Sequence, residues 1–507
     1  MEIWFIVFIS LSIATLFKLL FSKKSKPTLP PSPFSFPIIG NFTLLRKSPS
    51  QMESFVRSLN SKLGPVITLQ FFGTSPAIII SDRSLAHQSL IQNGAVFSDR
   101  PSSTTITRVT SNQRTITSAS YGPTWRLLRR NLMPEILHPT RVKSYSNARK
   151  WVLQILVDIL NSHYKSGDPV RLHDHFQYAM FCLLVLMCFG DKVDEKTIEK
   201  VKEADHHLLQ NLSRFHILNF LPKLTKILFR KRWEEFLKMY GEKYDVLMPL
   251  IKERRRLKEE RISNAKLVKD EYVLAYVDTL FDLELPEEKR KLNDIEISNL
   301  CSEFLVAGTD TTSTALQWVM ANLVKYPHIQ EKLFTEIKGV VGDEETEVKE
   351  DELQKMPYLK AVILEGLRRH PPAHFLLTHA VSEGTVLNGF FIPKKASVNV
   401  MVADIGWDPK VWEDPMEFKP ERFLNNEQVF DITGRKEIKM MPFGVGRRIC
   451  PGIGLAMLKL EYFVANLIWW YEWKAVDGDE VNLEEKREVL TVAMKNPLQA
   501  HISPRTK

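Results

Sequence analysis

The sequence predicts a mainly α domain with a small β portion, on three observations. Apolar residues recur at helical spacing through most of Tyr121 to Tyr276. Ile295 to Tyr326 carries the longest helical pattern and stops before Pro327. β-rich runs are short. Val66–Phe72 and Pro76–Ser81 flank Gly73-Thr-Ser as a hairpin, and later strands are expected near Val386–Pro393 and Ala396–Val402.

The 507 residues contain 44% hydrophobic side chains, enough for a large buried core. No repeat, low-complexity block or Gly/Ser linker cuts the chain after residue 45. The expected organisation is an anchor with its basic flank (1–26), a proline-rich hinge (27–40) and one catalytic domain (41–507).

Ile3 to Phe21 is almost wholly apolar. As a helix it spans about 28 Å, close to the hydrocarbon thickness of a bilayer. Lys18, its one charge, lies near enough the end to snorkel. A cleaved signal wants a basic start and a small-x-small site. This chain begins Met1-Glu2 and runs on into Lys23, Lys24 and Lys26, which reads as an uncleaved anchor. That basic flank places the rest of the chain on the cytoplasmic side. Asn41-Phe-Thr43 and Asn211-Leu-Ser213 would then stay unglycosylated despite their pattern. Pro27, Pro30, Pro31, Pro33 and Pro37 make a stiff spacer before Gly40.

The hairpin follows, and then Ser102 to Ser120, rich in Ser and Thr without apolar periodicity, reads as a long loop. The four cysteines, Cys182, Cys188, Cys301 and Cys450, include no C-x-x-C pair. Zinc binding and a disulfide framework are poorly supported, and a reducing compartment fits better. The net charge of +9 suits an anionic membrane or an acidic protein. No nucleic-acid motif accompanies it, so nucleic acid is set aside.

Cys450 closes Phe443-Gly-Val-Gly-Arg-Arg-Ile-Cys450-Pro-Gly452. Gly444, Gly446 and Gly452 allow tight turns and close approach of a flat ligand. Arg447 and Arg448 are expected to favour a thiolate and to pair with a carboxylate. The apolar pattern Ile453, Leu455, Ala456, Leu458, Leu460 predicts a helix whose N-terminus faces the sulfur. The plain alternative is a glycine-rich turn with an incidental thiol.

Met441 to Gly452 resembles the haem loop of the cytochrome P-450 superfamily, in its plant microsomal branch. Ser81-Asp-Arg-Ser-Leu-Ala-His-Gln and Gln92 to Pro101 resemble plant family 89. The resemblance implies the cytochrome P-450 fold, with haem b between an oxygen-activation helix and the cysteine helix. Cys450 would be the axial ligand, with Phe443, Gly444, Arg448 and Gly452 around the haem. A single thiolate ligand favours O–O cleavage.

Three further motifs follow the family's order. Ala307-Gly308-Thr309-Asp310-Thr311-Thr312 interrupts the long helix with poor helix formers. A glycine there would let a ligand approach, and a hydroxyl beside a carboxylate relays protons. A solvated or kinked polar patch is the bland reading. The resemblance implies Asp310 and Thr311 as the acid–alcohol pair, with Ala307 and Gly308 against the haem. Glu365-Gly-Leu-Arg368 places two charges on one helical face, in isolation an ordinary surface pair. With Arg422 of Pro420-Glu-Arg-Phe it resembles the family's structural cluster behind the haem loop. Trp125 and Arg129, four apart, resemble the pair that reaches the haem propionates. His379 falls where relatives place a further propionate contact, with a solvated histidine as the alternative there.

The resemblance implies a monooxygenase that puts one atom of dioxygen into a lipophilic small molecule, a plant specialised or catabolic metabolite. The other atom leaves as water. No G-x-G-x-x-G follows a strand, so electrons must come from outside. The implied donors are NADPH–cytochrome P-450 reductase and, as a second, cytochrome b5, at the endoplasmic reticulum membrane. Substrate contacts are expected from Ser102–Ser120, Ala204–Leu221, Phe304–Thr311, Ala373–Leu377 and Leu490–Met494. The rivals are a haem-thiolate isomerase or dehydratase that uses no dioxygen, and a non-catalytic membrane-bound haem protein.

Overall fold

The computed structural model describes residues 28–33, 48–70, 75–102, 104–190, 193–219, 222–263, 273–424, 430–476, 480–488 and 491–505. The anchor, most of the hinge and the Asn41 pattern lie outside these residues. The described chain is mostly helical with short strands.

The central helix runs Asp294–Lys325. Its start is a capping box. The Asn293 side chain accepts from the Glu296 amide at 2.9 Å, and Glu296 accepts from the Asn293 amide at 2.9 Å. Arg290 also grips Glu296, and Arg114 reaches it too. The helix ends because Pro327 opens the next one at its first position. Its second half, Thr312 to Val324, is wholly buried.

Leu172–Phe189 packs along the central helix and is buried without a break from Ala179 to Phe189. It and the cysteine helix, Ile453–Trp470, are long and apolar enough to cross a membrane, yet both lie mostly inside the protein. All-round apolarity here marks core helices. On the central helix Trp318 is fully buried, its indole donating to the Val492 carbonyl at 2.8 Å. Burying one such ring contributes roughly 2–3 kcal/mol.

Val66–Leu69 and Ala77–Ile80 pair antiparallel, with Val66 opposite Ile80. The sheet continues through Ser397–Val400, parallel to Ala77–Ile80, to His379–Ala380. Thr385–Leu387 and Phe390–Ile392 form a separate hairpin where one strand was expected, because Asn388 and Gly389 both take positive φ and turn the chain. The expected loop over 102–120 contains a helix, Thr105–Thr110. The Thr104 hydroxyl caps it by accepting from the Thr107 amide. A capped single turn and a half shows no apolar period, so periodicity missed it.

Candidate active site

Three elements converge: the cysteine loop, the middle of the central helix, and Pro123–Glu135 with the loop before it. In the cysteine loop Gly444 and Gly446 take φ +66° and +73°. A Cβ on Gly446 would stand 2.2 Å from the Leu90 carbonyl oxygen, so only glycine fits. The turn closes with the Cys450 amide donating to the Phe443 carbonyl at 2.9 Å, and Gly452 leads into Ile453–Trp470.

Burial pushes the Cys450 thiol up. The Gly452 amide, Arg129 and Lys459 pull the other way. This corrects the expectation for Arg447 and Arg448, which do not act on the sulfur. Arg447 reaches the Tyr121 hydroxyl. Arg448 donates to the carbonyls of Ser98 (2.8 Å), Ile116 (3.2 Å) and Ala119 (2.6 Å), pinning the loop before Pro123–Glu135. A guanidinium satisfies carbonyls wherever the backbone presents them, and sequence proximity to a thiol does not aim it.

Trp125 is buried, and its indole N–H has no hydrogen-bond partner in the structure. Arg129 and Arg448 stand over its ring at 5.9 and 4.7 Å. Arg129 donates to the Ile449 carbonyl at 2.7 Å, next to Cys450. His379 is buried, its Nδ1 2.7 Å from the Phe97 carbonyl. Burial pushes His379 down to about 4, with Arg100 and Arg448 adding to the effect. Burial likewise lowers Arg448 to about 9, beside Arg100 and Arg129. Crowded guanidiniums, only partly offset by Asp99 and Glu303, beside an orphaned indole N–H suit a further anion. Arg126 and Arg130 are exposed and stand apart from this group.

On the central helix Ala307 is exposed and Thr311 half-buried, one turn apart on one face. The Thr311 hydroxyl donates to the Ala307 carbonyl at 2.8 Å, which disposes of its proton locally. Asp310 points elsewhere: its carboxylate accepts from Gln177 at 3.0 Å. Burial raises Asp310. Gly308 corrects a further expectation. A Cβ there would meet Leu184 at 2.8 Å, so the room its missing side chain leaves is used for helix–helix packing. Its carbonyl accepts from Lys459 at 3.1 Å.

Glu365, Arg368 and Arg422 come together. Glu365 and Arg368 are wholly buried and pair at 2.6 and 2.8 Å. Arg422 joins Glu365 at 3.3 Å, and the Lys419 amide donates to it at 2.8 Å. Arg368 also donates to the Gly406 and Pro415 carbonyls.

The chain matches the cytochrome P-450 family over residues 30–502. It belongs to the cytochrome P-450 family. Cytochrome P-450 89A9 of Arabidopsis thaliana is 49% identical over the full length of both chains, which places the protein in plant family 89. An isoflavone 2'-hydroxylase of Medicago truncatula is 31% identical, with 97% of this chain and 95% of that one covered. A flavonoid 3'-monooxygenase of Crocosmia x crocosmiiflora is 30% identical, covering 96% and 95%.

Cytochromes P-450 bind haem iron through a cysteine thiolate, and the donor set here fits the group. Cys450 would supply the thiolate, and Trp125, Arg129 and the neighbouring cations would take the haem's two carboxylates. Among the described residues no other cysteine is open to a ligand: Cys182, Cys188 and Cys301 are buried.

Sequence reasoning overlooked two participants. Arg100 donates to the carbonyls of Thr117, Leu377 and Thr378, tying two expected substrate segments together. Lys459 is fully buried on the cysteine helix. A lysine inside the apolar run Leu455 to Leu460 was the available signal.

Proposed function

We propose that this cytochrome P-450 is a membrane-anchored monooxygenase that inserts one oxygen atom of dioxygen into a lipophilic small molecule. The observation that carries it is the cationic cradle beside Cys450: the unpartnered Trp125 indole and the guanidiniums of Arg100, Arg129 and Arg448. Haem, when bound there, supplies the redox iron at which dioxygen is activated.

The chain's own residues do the rest. Cys450 donates thiolate charge, stabilised by the Gly452 amide, Arg129 and Lys459. Thr311, with its proton committed to Ala307, presents oxygen lone pairs on the open face. Asp310, held by Gln177, takes and returns protons behind it. Glu365, Arg368 and Arg422 keep the cysteine loop's support in place.

Substrate chemistry follows from the relatives. Their names describe oxidation of isoflavones, flavonoids and germacrene A acid. Electrons would come from an NADPH-dependent flavoprotein reductase, with cytochrome b5 as a second donor. The exposed Leu224, Ile227 and Leu228 on Pro222–Leu228, beside Lys226, suit contact with a bilayer surface and agree with an anchor at residues 3–21 in the endoplasmic reticulum.

The decisive experiment is the carbon monoxide difference spectrum of the reduced protein beside Cys450→Ser. A long-wavelength Soret band lost in the variant is expected. A band that survives the substitution overturns thiolate ligation by Cys450.

A further inference from the structure

The face of the central helix turned away from Ala307 and Thr311 borders a small cavity of mixed lining, where Phe181, Leu209 and Val306 stand beside the polar groups. Gln177, Lys202, Asp205, His206, Thr309 and Asp310 line it. It has room for a single water by the volume a water needs.

Asp205 is the unusual member. It lies on Glu195–Phe215 and is 4% exposed. Oδ1 accepts from the Ser302 hydroxyl at 2.6 Å, while Oδ2 has no partner in the structure. An orphaned buried carboxyl oxygen costs roughly 1–3 kcal/mol unless water or a proton satisfies it. Lys243, from Arg230–Ser263, faces it but donates to Asn299 at 3.2 Å. Burial pushes Asp205 up to about 6, Lys243 and Ser302 oppose this, and Asp310 pushes it further up. Around Asp310 the titratable neighbours are His206 and His173, with Lys202 on the same cavity wall. A buried carboxyl and a half-buried one beside one cavity favour retention of a proton between them.

We propose that Asp205 resupplies Asp310 with protons through a water held in this cavity. The inference rests on the Asp310–Thr311 relay proposed above. The Asp205 O–H bond breaks and its proton passes to the water. The water's own proton forms the new O–H bond on Asp310. No electrons move. Asp205 is left as a carboxylate facing the Lys243 ammonium and is recharged from solvent past half-buried His206. Asp205 touches no substrate and is a positioning residue acting through Asp310.

The test uses the full-length, haem-loaded protein with its reductase and dioxygen as the only acceptor. Water and peroxide are the competing products, and only water needs the later protons. Asp205→Asn keeps the Oδ1 acceptor for Ser302 but carries no transferable proton. Peroxide per NADPH is expected to rise about two-fold or more, with a larger solvent isotope effect. Asp205→Glu should restore the wild-type ratio. The infrared spectrum of the resting protein should lose a protonated-carboxyl band in Asp205→Asn. A rise in Asp310→Asn without one in Asp205→Asn overturns this inference and leaves the relay standing. No rise in either overturns both. If Asp205→Asn fails to load haem, Ser302→Ala decides. Its missing hydroxyl must shift the infrared band, and an unshifted band overturns the assignment.

Discussion

The Lys459 ammonium donates to the Gly308 carbonyl at 3.1 Å, binding the cysteine helix to the middle of the central helix. The lysine is 1% exposed. Burial pushes it down to about 7, the Cys450 thiolate supports its charge, and Arg149 opposes it. One residue therefore links both helices and, when protonated, places a cation in electrostatic reach of the sulfur. A charge within about 10 Å at an effective dielectric near 20 is worth roughly 1–2 kcal/mol. Lys459→Met, which keeps the volume, should make reduction of the loaded iron about ten-fold less favourable, roughly 59 mV for one electron. Its unfolding free energy should move by less than about 1 kcal/mol, because a desolvated cation is removed along with its hydrogen bond. A redox titration beside a urea melt checks both.

Glu365→Gln should be far more damaging. It leaves Arg368 buried at full charge, with the Arg422 contact weakened. Breaking a buried pair from one side costs about 3–5 kcal/mol. The urea midpoint should fall accordingly and haem incorporation with it. Arg422→Ala should cost less, since that side chain is only the third partner and also leans on the Glu413 and Asp414 carbonyls.

Thr311→Ala should leave the fold and haem binding intact. Among the described residues the lost hydroxyl bonds the Ala307 carbonyl, and alanine is the better helix former. Reducing power should be diverted to peroxide. NADPH consumption against peroxide yield reads this, and an unchanged ratio removes Thr311 from the relay.

His370 predicts an acid limb in stability. It stacks on Trp318 with ring centroids 4.0 Å apart, its Nδ1 3.2 Å from Glu485. Burial pushes it down to about 4 despite that carboxylate, with Arg369 and His374 also opposing its charge. The unfolded chain takes up a proton below about pH 6.5, while the folded protein does so only near 4. Stability is therefore full above about 6.5 and falls as pH drops toward 4, by up to about 3 kcal/mol. His370→Phe keeps the stack and should flatten this slope in urea melts between about pH 7 and pH 4.5.

The central helix, the cysteine helix and the hairpin at Val66–Ile80 were legible because each writes its burial into a local period. The Glu365–Arg368 pair was legible as spacing, but only Arg422 and the carbonyls of distant loops make it a buried cluster. Gly308 misled because a glycine in a helix is silent about which neighbour needs the space, and Leu184 takes it. Arg447 and Arg448 misled because proximity in sequence to Cys450 did not decide where a long, forked side chain would find acceptors.

By itself the sequence determined the helical class, the family, and the chemical inventory at Cys450, Asp310 and Thr311, since these depend on residue type and short-range spacing. The tertiary structure decided which cations face the sulfur, that Asp310 looks away from Thr311 toward Gln177, and that Asp205 shares a cavity with it. Those relations join residues scores of positions apart. They arise from helix packing and burial, where desolvation changes what each charged group does.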